Sequence, residues 1–176
     1  MKYQVLEMVG ISGEFPVNQL HRLIESSSYA EKIITELKNE KLIRTHYRDR
    51  LRGYRLTKHA KELLLAQNMP RFHDYLTGNT ETNLIRSELP RRIRLHQKAE
   101  IYLTLLHANI PIFYDVKPNI FSRTCEADSS FIQDLPLFYS SREIKTLGYD
   151  TTKIRNSRSV GILLSPQCVY ALYNTG

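Results

Sequence analysis

The sequence predicts an α+β protein in two units. The first, residues 1–68, is a helix-turn-helix followed by a β-hairpin and a closing helix. The second, residues 83–176, is a smaller α/β unit with a long helix and a C-terminal β-hairpin, joined to the first by a linker over 69–82. Three observations carry this reading: a helical stripe that gives way to strand-like alternation between Leu37 and Ile43, a polar turn-rich stretch near residue 78, and two apolar β-branched runs at the end of the chain.

In the first unit, Val17, Leu20 and Leu23 or Ile24 give a short apolar stripe. Ala30, Ile33, Ile34 and Leu37 give a second. Between them lies Glu25-Ser26-Ser27-Ser28, where a serine can cap the second helix. The second stripe faces a core, leaving Ser28, Tyr29, Lys32, Thr35, Lys38 and Asn39 on or near the opposite, polar and partly cationic face. A helix pair of this kind lays its second helix in the major groove of DNA, with its N-terminal side chains at the base edges.

From Ile43 the pattern alternates through Arg44, His46 and Arg48, and it resumes from Leu51 through Tyr54 to Leu56, which predicts two strands. The tip between them, Tyr47 to Gly53, is rich in arginine, and its glycine is expected to take the positive φ of a hairpin tip. Thr57 caps a following helix through Ala60, Leu63 and Leu64. Arg44, Arg48, Arg50, Arg52 and Arg55, with Lys41 and Lys58, face a single acid, Asp49. Arginine on a hairpin suits phosphates or a narrow minor groove, since its planar fork donates bidentately at little hydration cost. A solvated hairpin using charge to prevent edge pairing is the competing explanation.

The linker follows from Asn68-Met69-Pro70-Arg71 and the polar run Leu76 to Thr82. Beyond it, Ile93, Leu95, Ala99, Tyr102, Leu103 and Leu106 predict a helix from about Pro90 to Asn109. Arg91, Arg92, Arg94 and Lys98 crowd its start, where the helix dipole disfavours cations. They imply either an outside anion or pairing with Glu88 and Glu100. Ile110 to Tyr114 reads as a buried strand and Lys117 to Gln133 as loop. Ser140 or Ser141 caps a short helix that Gly148 stops, with Glu143 and Lys145 on its solvated face. Ser159 to Leu164 and Cys168 to Tyr173 form an antiparallel hairpin, apolar on both faces, for which the sequence offers the helix Ile93 to Leu106 on one face with a homodimer partner on the other, or downstream sequence in their place.

Composition bounds the function. The chain has 176 residues, a formal charge of +7 and 41% hydrophobic residues, enough for two small cores and a bias toward polyanions. No run has the length of a membrane helix and the first ten residues lack the form of a signal peptide, so no membrane partner and a cytoplasmic setting are expected. Cys125 and Cys168 stand alone, no His/Cys cluster has zinc spacing, and no glycine-rich loop indicates a nucleotide, so neither metal nor cofactor is expected. His21, His46, His59, His73, His96 and His107 never occur two apart, which disfavours a relaxase with a His-x-His metal. Glu143-Ile144-Lys145 has the wording of a restriction-type nuclease, but the serine cap and Gly148 place it on a helix. No catalytic residue is assigned.

The string LIR…YRLT…LL resembles the strand, wing, strand, helix wording of the winged helix-turn-helix superfamily. The order of that unit, then RIRLHQKAEIYLTLLHANIPIF, FYSSREIK and SRSVGILLSPQCVYALYNTG, resembles the replication-relaxation family of plasmids and integrative elements. The resemblance implies a DNA-binding protein of a mobile element, acting in its replication or DNA relaxation with other replication or mobilisation proteins; the departure from the family is the missing C-terminal continuation. A winged-helix transcriptional regulator, with a dimerising or ligand-sensing C-terminal unit, is the alternative. Either uses duplex DNA, through Ser28, Tyr29, Lys32, Thr35, Lys38, Arg44, Arg48, Arg50, Arg52, Arg55 and Lys58.

Overall fold

A computed structural model describes residues 1–77, 82–118, 136–145 and 159–173. It is mixed α+β, with eight α-helices and two three-stranded antiparallel sheets among the described residues. The chain divides into two compact units, Met1–Leu103 and Thr104–Gly176.

The first unit is built around α1 (Lys2–Ser12), which from Val5 to Ser12 is buried all round. A helix buried on every side, with Glu7 and Ser12 among its buried residues, has no apolar stripe to read, so the sequence pattern gave no sign of it. After α1 come β1 (Phe15–Pro16), a 3₁₀ turn (Val17–Gln19), α2 (Leu20–Leu23), α3 (Ser27–Asn39), β2 (Ile43–Arg48), β3 (Leu51–Leu56) and α4 (Lys58–Gln67). Ser26 caps α3 by accepting from the Tyr29 amide. Thr57 caps α4 by accepting from the Ala60 amide, while its hydroxyl donates to the Lys41 carbonyl at 2.7 Å. Ala30, Ile33, Ile34 and Leu37 are buried, as their spacing requires. The sheet order is β1-β3-β2.

The expected linker is largely helix. Residues Met69–Leu76 form α5, which packs on α1 and α4, burying Phe72 and Tyr75 and pairing Arg71 with Glu7 at 2.6 Å. The segment from Asn68 stops α4 at Gln67, as its residues predict, and at once starts α5: Asn68 caps it and proline sits in its first turn, where its missing N–H costs nothing. After α6 (Asn83–Arg86), α7 (Leu89–His107) begins in the first unit and crosses the division at Leu103, so the boundary falls inside a helix and not between Gln67 and Thr82. In α7, Leu95, Ala99, Tyr102 and Leu103 are buried as their stripe predicts, whereas Ile93 is exposed and Arg92 takes the interior position.

In the second unit Ile110 to Tyr114 is not a strand. Ile112 is buried in irregular chain before a 3₁₀ turn at Tyr114–Val116. The sheet here is β4 (Leu137–Ser140), β5 (Ser159–Leu164) and β6 (Val169–Tyr173), with β5 central. The predicted hairpin is β5–β6, and β4 supplies the neighbour its central strand needs. Gly161 is required there, since a side chain would run into the Tyr139 carbonyl and the Phe138 ring. The short helix α8 (Ser141–Lys145) follows β4 directly. Gly148 and the stretch Pro118 to Gln133 lie, apart from Pro118, outside the described residues. Among the described residues, no helix is long and apolar enough to cross a membrane.

Candidate nucleic-acid interface

The hairpin tip is tighter than the sequence reading allowed. Arg48 pairs with Leu51, leaving a two-residue turn of Asp49 and Arg50 with φ of 52° and 60°. Positive φ at both central positions is the twist that a two-residue hairpin favours. Gly53 therefore does not make the turn. It sits within β3 opposite His46, and a Cβ on it would lie 2.5 Å from the Glu14 carboxylate. Glycine is needed there so that Glu14 can lie against the strand.

Period two splits the arginines between two faces. Thr45, Tyr47, Arg52 and Tyr54 share the face that carries Lys38 of α3, whose ammonium lies 5.5 Å from the Tyr54 ring centroid. Arg44, His46 and Arg48 share the other face with Arg55. Ser28, Tyr29, Lys32, Thr35, Lys38, Arg44, Arg48, Arg50, Arg52 and Lys58 are all exposed. Thr35 spends its hydroxyl proton on the Glu31 carbonyl at 2.8 Å, so toward a groove it offers a methyl group and an acceptor. Lys58 lies 3.7 Å from Glu62, and Arg48 lies 3.4 Å from Asp49. Lys2 of α1 pairs with Glu36 of α3 at 2.8 Å and with Glu40, the residue after α3, at 2.9 Å. Hydrogen bonds to Glu36 and Glu40 lift the Lys2 ammonium to about 12, and the same bond to Lys2 lowers Glu36. Tyr47 is 68% exposed opposite Arg52 on this surface.

Arg55 does not belong to the surface, contrary to the sequence expectation. Its side chain is buried, with Nε 2.7 Å and Nη2 2.6 Å from Glu14 Oε2. It also donates to the Arg86 carbonyl at 2.8 Å and to the Ser87 hydroxyl at 3.3 Å. The same carboxylate takes Arg92 of α7, with Nη2 to Oε1 at 2.6 Å and Nε at 3.1 Å, and it lies 2.9 Å from His96 Nε2. Glu14 and Arg92 are both fully buried. Burial by itself raises the Glu14 carboxyl. Hydrogen bonds from His96 and Arg92 and the charge and hydrogen bond of Arg55 outweigh it and bring the group to about 2. His46 beside them is lowered, first by burial, then by the charges of Arg55 and Arg92. Arg92 thus answers an anion inside the protein, and neither an outside anion nor Glu88 and Glu100 accounts for it. Lys98 likewise turns inward, donating to the Ile11 carbonyl at 2.8 Å and lying against the rings of Tyr75 and Tyr102.

The acid of the second unit is also structural. Glu143, expected on a solvated helix face, is buried. Its Oε2 accepts from the Ser140 amide at 2.6 Å while Ser140 Oγ accepts from the Glu143 amide at 3.3 Å, which closes a reciprocal cap on α8. Its Oε1 lies 2.6 Å from Lys117 Nζ, whose side chain is wholly buried, donates to the Phe138 carbonyl at 2.6 Å and sits 4.8 Å from the centroid of the Tyr139 ring. Burial lowers the Lys117 ammonium against the opposing pull of Glu143. Among the described residues, no group of three or more His, Cys, Asp or Glu side chains could hold a metal. No family model, no curated protein and no solved structure matches this chain.

Proposed function

We propose that this chain is a winged helix that binds double-stranded DNA through α3 and the β2–β3 hairpin. The observation that carries the reading is the joint exposure of the polar face of α3 and the arginine tip, on an element order of α1-β1-α2-α3-β2-β3 with the hairpin strand β3 between β1 and β2. That order supports a reading helix in the major groove and a wing beside it. Lys32, Thr35 and Lys38, with Ser28 and Tyr29 at the helix start, are the base-reading set. Arg50 and Arg52 hold phosphates, with Arg44, Arg48 and Lys58 outside them. Arg55 is not in either set, because its fork is spent on Glu14.

If four to six phosphates are neutralised, the logarithm of the binding constant falls against the logarithm of salt with a slope of roughly −4 to −5. Titration of the full chain with a short duplex at several salt concentrations tests this, and a salt-independent affinity, or none at low salt, overturns it. Arg50→Ala with Arg52→Ala weakens all sequences together, whereas Lys32, Thr35 or Lys38→Ala weakens a preferred site more than random DNA. The setting we propose is replication or relaxation of a mobile element, supported by the order of the sequence segments. Footprints at such an element's origin support it, and footprints confined to promoters favour a transcriptional regulator.

A further inference from the structure

The two strands of the hairpin are held at their tip by a residue that belongs to neither. Arg92 of α7 donates through Nη1 to the Arg48 carbonyl at 2.6 Å, and through Nη2 to the Leu51 carbonyl at 3.0 Å and the His46 carbonyl at 3.3 Å. Arg48 and Leu51 are the residues on either side of the Asp49-Arg50 turn. One guanidinium therefore spans both strands where the hairpin reverses, while Glu14 holds its other edge. The brace is rigid, because Arg92 is fully buried and starts near the head of a long helix.

We propose that Arg92 is a positioning residue for DNA binding: it fixes the direction of the arginine tip without touching the nucleic acid. The proposal rests on the DNA-binding reading and deepens it. A two-stranded hairpin is marginal by itself, and the tip of this one carries three exposed arginines, Arg48, Arg50 and Arg52, whose mutual repulsion opposes a fixed arrangement. Order imposed before binding need not be imposed by the DNA, so a fixed tip binds more tightly than a loose one with identical side chains. Lysine in place of Arg92 keeps the charge opposite Glu14 but cannot reach two carbonyls and a carboxylate from one fork.

The test uses the full chain with Arg92→Lys, crossed with Arg50→Ala/Arg52→Ala. Arg92→Lys is expected to weaken duplex binding about tenfold and to flatten the salt slope by about 1 to 2, the share of the tip contacts. Removing the tip arginines in that background then costs little more, since their contribution is already lost. Additive losses, or full affinity with an unchanged slope, overturn the proposal. Amide hydrogen exchange gives a readout without DNA. Exchange from Arg48 to Leu51 is expected to speed up at least tenfold in Arg92→Lys, while the far end of the ladder, Ile43 to Thr45 against Tyr54 to Leu56, keeps its protection. Equal loosening throughout means a merely structural role and sinks the idea. If the wild type binds no DNA, the DNA reading fails and takes this proposal with it, while the exchange data separately decide whether the brace exists. If Arg92→Lys does not fold, Arg92→Gln replaces it, and couplings across the hydrogen bonds from Arg92 to the Arg48 and Leu51 carbonyls in the wild type decide the matter. Their absence overturns the brace.

Discussion

Arg50 occupies a backbone position that suits glycine, at φ 60° in a turn whose second central residue prefers no side chain at all. An arginine there costs stability, and on the proposed reading it reaches a phosphate. Arg50→Gly is therefore expected to raise stability by about 1 kcal/mol and to weaken duplex binding. Denaturant melts and a salt titration on the same variant check both signs, and a variant that gains stability with unchanged affinity removes Arg50 from the interface. Gly53 is the reverse case. A methyl group there would meet Glu14 Oε1 at 2.5 Å, so Gly53→Ala should destabilise by about 2 kcal/mol, although its φ is not positive. A melt within 0.5 kcal/mol of wild type, on the order of the effect of an ordinary surface change, would show that Glu14 can move aside. The sequence revealed that a glycine mattered at this tip but not its reason, because the residue that needs it lies on another element.

At the scale of elements, Glu14 joins the start of β1 to β3 and to α7, and the joint titrates. Its folded value of about 2 lies below the ordinary 4.5, so its contribution is fully present above 4.5 and is lost as pH falls through about 2. The linked free energy is on the order of 3 kcal/mol. His46 is also lowered from 6.5, so the unfolded chain takes up its proton first and stability begins to fall below 6.5. Denaturant midpoints should thus be level from pH 7 to 8, decline below 6.5 and drop more steeply below 4.5. In Glu14→Gln the steep limb flattens, and the neutral plateau falls by roughly 3–5 kcal/mol because Arg55 and Arg92 lose their shared anion. A Glu14→Gln profile parallel to wild type would mean that other carboxylates carry the acid limb. Helix α3, both strands of the hairpin, α7 and the caps at Ser26, Thr57 and Ser140 were legible because period and capping are local signals. Helix α1 was hidden by its all-round burial and β4 by its four-residue length. The bonds from Glu14 to Arg55 and Arg92 span 41 and 78 residues, separations that no local pattern records.

For the molecule as a whole, both oxygens of Glu143 already have partners in Lys117 and Ser140. With Mg²⁺ or Mn²⁺, supercoiled plasmid is expected to stay supercoiled. Nicking that disappears in Glu143→Gln, with the fold intact by circular dichroism, would mean that this acid does chemistry after all. The exposure of Lys32, Lys38, Arg44, Arg48, Arg50, Arg52 and Lys58 was legible because surface charge is written residue by residue. The exception, Arg55, was misplaced because a buried arginine in an arginine-rich strand looks like its neighbours until its partner is known. That dependence has an evolutionary consequence. Glu14, Gly53, Arg55 and Arg92 form one unit of inheritance: a lineage that loses the carboxylate has two buried cations to dispose of and a glycine released to become any strand residue. In a set of relatives these four positions should change together, whereas the exposed Arg44, Arg48 and Arg52 can drift singly. Substitutions at Glu14 that leave both arginines in place would contradict this linkage.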